Sequence, residues 1–323
     1  MIKPKVVVTR RWPAAVEAAL AERFDVTFNR TDRALTACEL KSAMLTADAV
    51  LPTVTDRIDA GILDIAQPRA KILANYGIGY GHIDINAARG HDIAVTHTPD
   101  DLSDCTADLT LMLMLMIARR AGEGESELKS AQWQGWHPTH LLGTKVSGKT
   151  LGLIGFGRVG QAVAKRAHWG FGMDVVAYDP EPVSTQAYGT TGARSAASVD
   201  EVLPQADFVS LHCPANTGTR HLIDARRLDL MKPDAFLINT AGGGLVDERA
   251  LVHALWFETI AGVGLDVFAG EPDILPELRT CNNAVLLPHQ GSATRETREA
   301  MGFRVVDNLC DFFAGRAPRD LVA

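Results

Sequence analysis

Between Thr150 and Asp179 the chain reads Thr-Leu-Gly-Leu-Ile-Gly-Phe-Gly-Arg-Val-Gly, then a helix-length stretch, then Asp-Val-Val-Ala-Tyr-Asp. This pattern predicts a strand, a glycine turn, a helix and a second strand ending on an acid. Gly155 would permit the tight turn, Gly157 would let the backbone approach a pyrophosphate, and Gly160 would let the helix pack close to the strand. The N–H groups at the start of that helix carry partial positive charge and suit phosphates. Asp179 follows Gly157 by 22 residues, near the roughly 20 expected of a carboxylate that grips a ribose hydroxyl pair. The full context of a dinucleotide site is therefore present.

Short runs rich in Val, Ile and Leu recur at helix-sized intervals, the mark of parallel sheets wrapped by helices. In the first hundred residues the candidates are Lys5–Thr9, Val26–Phe28, Ala49–Leu51, Ile72–Asn75 and Ile93–Thr96. A second series comprises Thr150–Ile154, Asp174–Tyr178, Phe208–His212, Ala235–Asn239, Gly262–Asp266 and Val285–Leu287. The expected architecture is α/β, with two doubly wound parallel-sheet domains in tandem. A helix from Ser103 to Arg120 would join them. The segment 122–148, with Trp133 and Trp136 but no strong period, reads as an extended arm. The helical pattern of 293–313 carries apolar positions at Met301, Val305, Leu309 and Phe312. A final helix returning to the first domain would make that domain discontinuous.

Composition narrows the function classes. The 323 residues are 46% hydrophobic, enough for more than one core, and the net charge is -7 with scattered basic residues. No basic stripe points to nucleic acid or an anionic membrane. The opening Met-Ile-Lys-Pro-Lys-Val-Val-Val lacks the apolar core of a signal peptide. The longest apolar run, 109–118, falls well short of the ~20 residues that span a bilayer. Five widely spaced cysteines fit reduced thiols in a cytoplasmic protein. His137 and His140 form the only close histidine pair, read as a loop coincidence, and no metal is expected.

Three further strand ends carry reactive residue types: Asn239-Thr-Ala-Gly-Gly-Gly-Leu-Val-Asp247, Gly264-Leu-Asp-Val-Phe-Ala-Gly-Glu-Pro272 and Leu287-Pro-His-Gln-Gly-Ser-Ala-Thr294. Open α/β sheets bind ligands at the carboxyl ends of strands. Alone, His289 reads as a histidine satisfied in a loop and Glu271 as a solvated turn residue before Pro272. Beside a dinucleotide site the pair points to catalysis. A nearby carboxylate favours the imidazolium form, which can deliver a proton to a carbonyl oxygen as hydride reaches the carbon.

These segments, with Gly155–Gly160 and Asn75-Tyr-Gly-Ile-Gly-Tyr-Gly-His-Ile-Asp84, resemble the D-isomer-specific 2-hydroxyacid dehydrogenases, and most of all their glyoxylate/hydroxypyruvate reductase branch. The five motifs stand in the right order, and the likeness covers essentially the whole chain. It implies a flavodoxin-like substrate domain, 1–102 with 291–323, and a Rossmann NAD-binding domain, 103–290. His289 would be the acid/base and Glu271 its orienting carboxylate. The turn Tyr76, Gly77, Ile78 and Gly79 would offer N–H groups to the substrate carboxylate. Gly155, Phe156, Gly157, Arg158, Val159, Gly160, Asp179, His212, Pro214, Thr240, Ala241, Asp266, His289 and Gly291 would surround the cofactor, with Asp266 on its nicotinamide side. The substrate would be a small 2-oxo acid such as glyoxylate or hydroxypyruvate. The arm near 122–148 would pair two subunits in a homodimer.

One position departs from the family pattern. The strand-end motif that usually reads Thr-Ala-Arg-Gly has Gly242 in place of arginine. Glycine cannot supply a planar fork that binds a carboxylate and polarises a carbonyl. Three readings stay open: a disabled reductase, a site for another substrate with another donor, or a silent NAD(H)-binding module that acts through protein contacts. Gln290 is also more polar than the aliphatic residue expected there. It would either point into the site or face the surface.

The segment Asp179-Pro-Glu-Pro182 holds two acids, and the next arginine is Arg194. A carboxylate at the end of the second strand suits the ribose hydroxyls of NAD and repels a 2′-phosphate, so NAD(H) is expected over NADP(H). In direct titration NADH should bind more tightly than NADPH, and the opposite order refutes the reading.

Overall fold

The computed structural model describes residues 3–99 and 103–323. They fall into two compact units, Met1–Leu102 with Ala293–Ala323, and Ser103–Ser292. The first unit is built on five strands: β1 (Lys5–Val8), β2 (Asp25–Phe28), β3 (Ala49–Leu51), β4 (Ile72–Ala74) and β5 (Ala94–Thr96). They lie in the order β2-β1-β3-β4-β5 and are parallel throughout. This is the flavodoxin-like winding. Alternate residues serve opposite faces, as a pleated strand requires. Val6, Val8, Ala49, Leu51, Ile72 and Ala74 join one core, whereas Val50, Leu73 and Val95 join the other.

The helix Arg295–Phe313 closes the first of these cores with Met301, Val305, Val306 and Leu309. Its start is set by Thr294, whose hydroxyl accepts from the Thr297 N–H at 3.2 Å. Arg304 grips Asp320 through two nitrogens and Asn308 bonds the same carboxylate, which fastens the chain's last residues to this helix.

The second unit holds seven strands: β6 (Thr150–Ile154), β7 (Asp174–Tyr178), β8 (Ala193–Ser195), β9 (Phe208–Leu211), β10 (Phe236–Asn239), β11 (Gly262–Leu265) and β12 (Ala284–Leu286). Their order is β12-β11-β10-β9-β6-β7-β8, again all parallel. The winding reverses between β6 and β9, as in a Rossmann sheet. The helix Ser103–Ala118 covers one face, burying Ala107, Leu111, Leu113, Met114 and Ile117. Gly264 makes room for it, because a Cβ there would stand 3.1 Å from that of Leu113. No helix among the described residues is long and apolar enough to cross a membrane.

All eleven strands expected from the sequence are present, with ends displaced by no more than one residue. Two local expectations fail. β8 was not foreseen, because Ala-Arg-Ser has no apolar pattern, and an edge strand needs none. The supposed extended arm begins as a helix, Ala121–Lys129. That helix buries none of its residues and so shows no apolar stripe. Pairs between Arg120 and Glu123 and between Glu125 and Lys129 help to support it. Beyond it Trp133 and Trp136 are exposed.

Candidate active site

In a parallel sheet every strand ends on the same edge. The sequence-derived residues of the second unit all lie along that edge: Gly155–Gly160 after β6, Asp179 after β7, His212 and Pro214 after β9, Thr240–Gly242 after β10, Asp266 after β11, and Gly291 in the turn after β12.

The glycine turn matches its expected shape. Gly155 has φ +95°, and a Cβ there would fall 2.5 Å from the carbonyl carbon of His212. At Gly160 a Cβ would strike the Gly155 carbonyl oxygen at 2.4 Å. Gly157, by contrast, is exposed and its Cβ direction is open. It stands at the N-cap of the helix Arg158–Lys165 with no side-chain cap. This combination fits a dinucleotide pyrophosphate, whose oxygens need an unobstructed backbone at a helix start. Asp179 is partly committed: its Oδ2 accepts from the Phe156 N–H at 2.6 Å and its Oδ1 from the Glu181 N–H at 3.0 Å. It shapes the glycine turn through the first of these bonds.

Asn239, the last residue of β10, organises the next turn. Its Oδ1 accepts from the N–H groups of Ala241 and Gly242 at 3.1 and 3.3 Å, and its Nδ2 donates to the Gly242 carbonyl at 2.9 Å. Asparagine bonds its own following backbone readily, but the sequence alone does not distinguish that from an asparagine facing a ligand. Thr240 meets Thr110 hydroxyl to hydroxyl at 3.1 Å. Gly242 is extended, with φ 177°, and any side chain there would begin with its Cβ 2.6 Å from that of Ala215.

His289 and Glu271 meet. Nδ1 of the histidine is 2.7 Å from Oε2 of the glutamate, whose Oε1 accepts from the Phe268 N–H at 2.9 Å. Burial pushes the Glu271 carboxyl up, but the bonds from His289 and Phe268 outweigh it and hold the group below the usual carboxylate range. An ionised Glu271 is only an acceptor, so Nδ1 of His289 carries the hydrogen. The side chain of His289 is 45% exposed.

Asp266 builds the turn that carries this histidine. His289 sits in the left-handed region at φ +53°. Oδ1 of Asp266 accepts from the Gln290 N–H at 2.6 Å, Oδ2 from the Gly291 N–H at 2.8 Å, and the Asp266 carbonyl from the His289 N–H at 3.0 Å. Burial raises the Asp266 carboxyl above its ordinary range despite these donors. The sequence suggested only a cofactor contact for this residue. Gln290 is exposed.

In the first unit the turn after β4 corrects one expectation. Tyr76 cannot offer its N–H to a ligand, since it donates to the Pro52 carbonyl at 2.9 Å. Its ring is buried against Trp12, and its hydroxyl donates to the Arg298 carbonyl at 2.5 Å. The N–H groups of Gly77, Ile78 and Gly79 have no acceptor among the described residues. His140 lies 2.7 Å from Glu127.

Residues 111–291 match the family model described as D-isomer specific 2-hydroxyacid dehydrogenase, NAD binding domain. The chain is 42% identical over 325 residues to a glyoxylate reductase of Thermococcus litoralis, covering 99% of this chain and 97% of that protein. It is 36% identical to a glycerate dehydrogenase of Hyphomicrobium methylovorum, with 98% of each covered. Among solved structures, an NADPH-dependent glyoxylate/hydroxypyruvate reductase of Sinorhizobium meliloti, in complex with NADP and malonate, superposes with a TM-score of 0.87. It is 31% identical, and the match covers 99% of this chain and 97% of that one.

His212 gives a test of the site's electrostatics. Its Nε2 is 2.9 Å from the Ser210 hydroxyl, while Nδ1 is buried without a partner. Burial pushes its imidazole down to about 3. A folded-state value below the ordinary 6.5 means that protonation favours unfolding. The stability this group contributes is full above about pH 6.5 and is lost as pH falls towards 3, at up to about 1.4 kcal/mol per pH unit. Denaturant titrations from pH 7 to 4.5 should show a steeper loss for the unmodified chain than for His212→Asn. Parallel curves would contradict the buried neutral ring.

Proposed function

This chain belongs to the D-isomer specific 2-hydroxyacid dehydrogenase family and is an oxidoreductase, and we propose that it reduces a small 2-oxo acid of the glyoxylate or hydroxypyruvate kind to the D-2-hydroxy acid with NADH. The observation that carries the reading is the 2.7 Å contact between His289 Nδ1 and Glu271. When bound, the dinucleotide supplies the hydride. Gly155–Gly160 and the start of the following helix would hold its pyrophosphate, and Asp179 its adenosine ribose. His212, Pro214, Thr240, Ala241 and Gly291 line the same sheet edge. An acid in place of an arginine at Asp179 favours NADH, although the Sinorhizobium relative is named for NADPH.

Glu271 fixes the ring so that Nε2 of the imidazolium gives its proton to the carbonyl oxygen while the carbon gains the hydride. The neutral ring then takes a proton back from water, which its exposure permits. Asp266 acts through the backbone, holding His289 in the left-handed conformation that the ring's position requires. Removing a positioned general acid costs about 100- to 10,000-fold. His289→Ala should therefore lower turnover by at least a hundredfold and leave NADH binding unchanged. Undiminished turnover would sink the assignment.

Gly242 occupies the position where the family pattern has arginine, so carbonyl polarisation is the weak part of this site. Losing a donor of that kind costs on the order of a hundred- to thousandfold in rate. Because a Cβ at this position would meet Ala215 at 2.6 Å, the restoring variant needs Gly242→Arg together with Ala215→Gly. A gain of a hundredfold in kcat/KM marks a disabled reductase. A loss indicates that other donors serve a different substrate. Tight NADH binding with no turnover in either form is the outcome expected of a silent binding module.

We further propose that the chain is a homodimer. Trp136 is 82% exposed and Trp133 51%, with Leu128 and Leu142 also exposed, and large apolar side chains bared near one another in the chain suit contact with a second subunit. Light scattering should give twice the chain mass of 34.8 kDa, and Trp136→Ala with Trp133→Ala should lower it. A monomeric mass overturns the proposal.

A further inference from the structure

The turn that carries Glu271 has few bonds of its own. Residues 269–273 are exposed, and among the described residues only two hydrogen bonds reach the backbone of 268–273. One runs within the turn, from the Phe268 N–H to Glu271 itself. The other comes from outside it: Oε1 of Glu248 accepts from the Ala269 N–H at 2.7 Å. A carboxylate acceptor makes such a bond charge-assisted, roughly twice as strong as a neutral one. The Phe268 side chain is anchored in the core, and Glu248 holds the peptide that follows it.

Glu248 is itself fixed in place. It is the first residue of the helix Glu248–Trp256, whose cap Asp247 accepts from the N–H groups of Arg249 and Ala250 at 3.1 and 3.2 Å. The cap sets the helix start, and the partial positive charge there favours an ionised glutamate. The chain enters this helix from the turn after β10, and that turn touches the same peptide. A Cβ on Gly243 would lie 1.9 Å from the Phe268 carbonyl carbon and 2.3 Å from the Ala269 nitrogen, so only glycine allows the approach. The Phe268–Ala269 peptide is thus met both by the Gly243 backbone and by the Glu248 carboxylate. Two residues further on, Glu271 stands 2.7 Å from Nδ1 of His289.

We propose that Glu248 is a positioning residue: by binding the Ala269 N–H it holds the turn that sets Glu271 against His289. Its effect on the reaction runs through Glu271. This deepens the 2-oxo acid reading and rests on it. Asp266, another acid that acts on His289, is held separately by the Gln290 and Gly291 N–H groups. Loss of Glu248 therefore leaves the backbone of the histidine in place and loosens its carboxylate partner.

The test compares Glu248→Leu with Glu248→Gln, each made in the unmodified chain and in Glu271→Ala. Both lose the charge at the helix start, but only glutamine keeps an oxygen that accepts from Ala269. With glyoxylate and NADH, kcat should fall about tenfold in Glu248→Leu, within the range of coupling through one hydrogen-bond network. The NADH dissociation constant should stay within about threefold, and Glu248→Gln should lie near the unmodified chain. In the Glu271→Ala background Glu248→Leu should cost no more than about twofold further, because effects within one network do not add whereas independent ones do. A full loss that persists in that background marks a general structural role and overturns the proposal. An unchanged kcat in Glu248→Leu, or an equal loss in Glu248→Gln, overturns it too. If Glu248→Leu does not fold, Glu248→Asp replaces it, keeping the charge at the helix start but falling short of Ala269. If the unmodified chain turns over no 2-oxo acid, the function reading fails, and the NMR titration of the His289 imidazole, assigned with His289→Ala, judges the positioning instead. A carboxylate close by favours the imidazolium, so the midpoint should drop in Glu248→Leu and hold in Glu248→Gln. A midpoint equal in all three chains refutes the role.

Discussion

Two hydrogen bonds to one buried carboxylate hold the part of the molecule on which the proposed chemistry depends. Asp266 receives the N–H groups of Gln290 and Gly291, and His289 is thereby kept at φ +53°. A non-glycine residue in that region costs about 1–3 kcal/mol. Hydrogen bonds to a charged group return about 1.5–3 kcal/mol each. These two donors, with the Asp266 carbonyl that accepts from the His289 N–H, are what oppose that strain. Glu271 then acts on a ring whose place is already fixed, and its own second oxygen is occupied by the Phe268 N–H. The arrangement separates two duties: one acid sets the backbone, the other sets the proton.

The same device recurs along both sheets. Asn75 after β4 and Asn239 at the end of β10 bind the backbone of the turn that follows, Asp179 after β7 binds its own turn and the one after β6, and Asp266 after β11 binds the turn after β12. Parallel strands deliver chain ends to one edge, where the sheet no longer satisfies backbone groups. A short polar side chain at the strand's last position orders them without the length or mobility of Lys or Glu. Loops ordered this way can leave chosen N–H groups facing outward.

Much of this was legible in the sequence, and the misses have physical causes. The Val, Ile and Leu runs marked eleven strands because buried parallel strands must be apolar on both faces. β8 escaped because it is an edge, and the helix Ala121–Lys129 because it packs against nothing that would demand a stripe. The glycine turn was legible down to single residues, since steric limits at Gly155 and Gly160 leave no choice of side chain. The roles of Asp266 and Asn75 were not. A carboxylate or carboxamide at a strand end looks the same in sequence whether it faces a ligand or its own backbone, and only the bonds distinguish the two. The Tyr76 N–H was misassigned for a related reason, because its acceptor, Pro52, lies on another loop.

The central claim is that this site carries out hydride transfer to a 2-oxo acid with glycine at position 242. The most direct measurement follows NADH consumption by the unmodified chain with glyoxylate and hydroxypyruvate, with chiral analysis of the product. The account predicts that NADH disappears in step with formation of the D-2-hydroxy acid. Saturable NADH binding with no consumption across small and larger 2-oxo acids would contradict it.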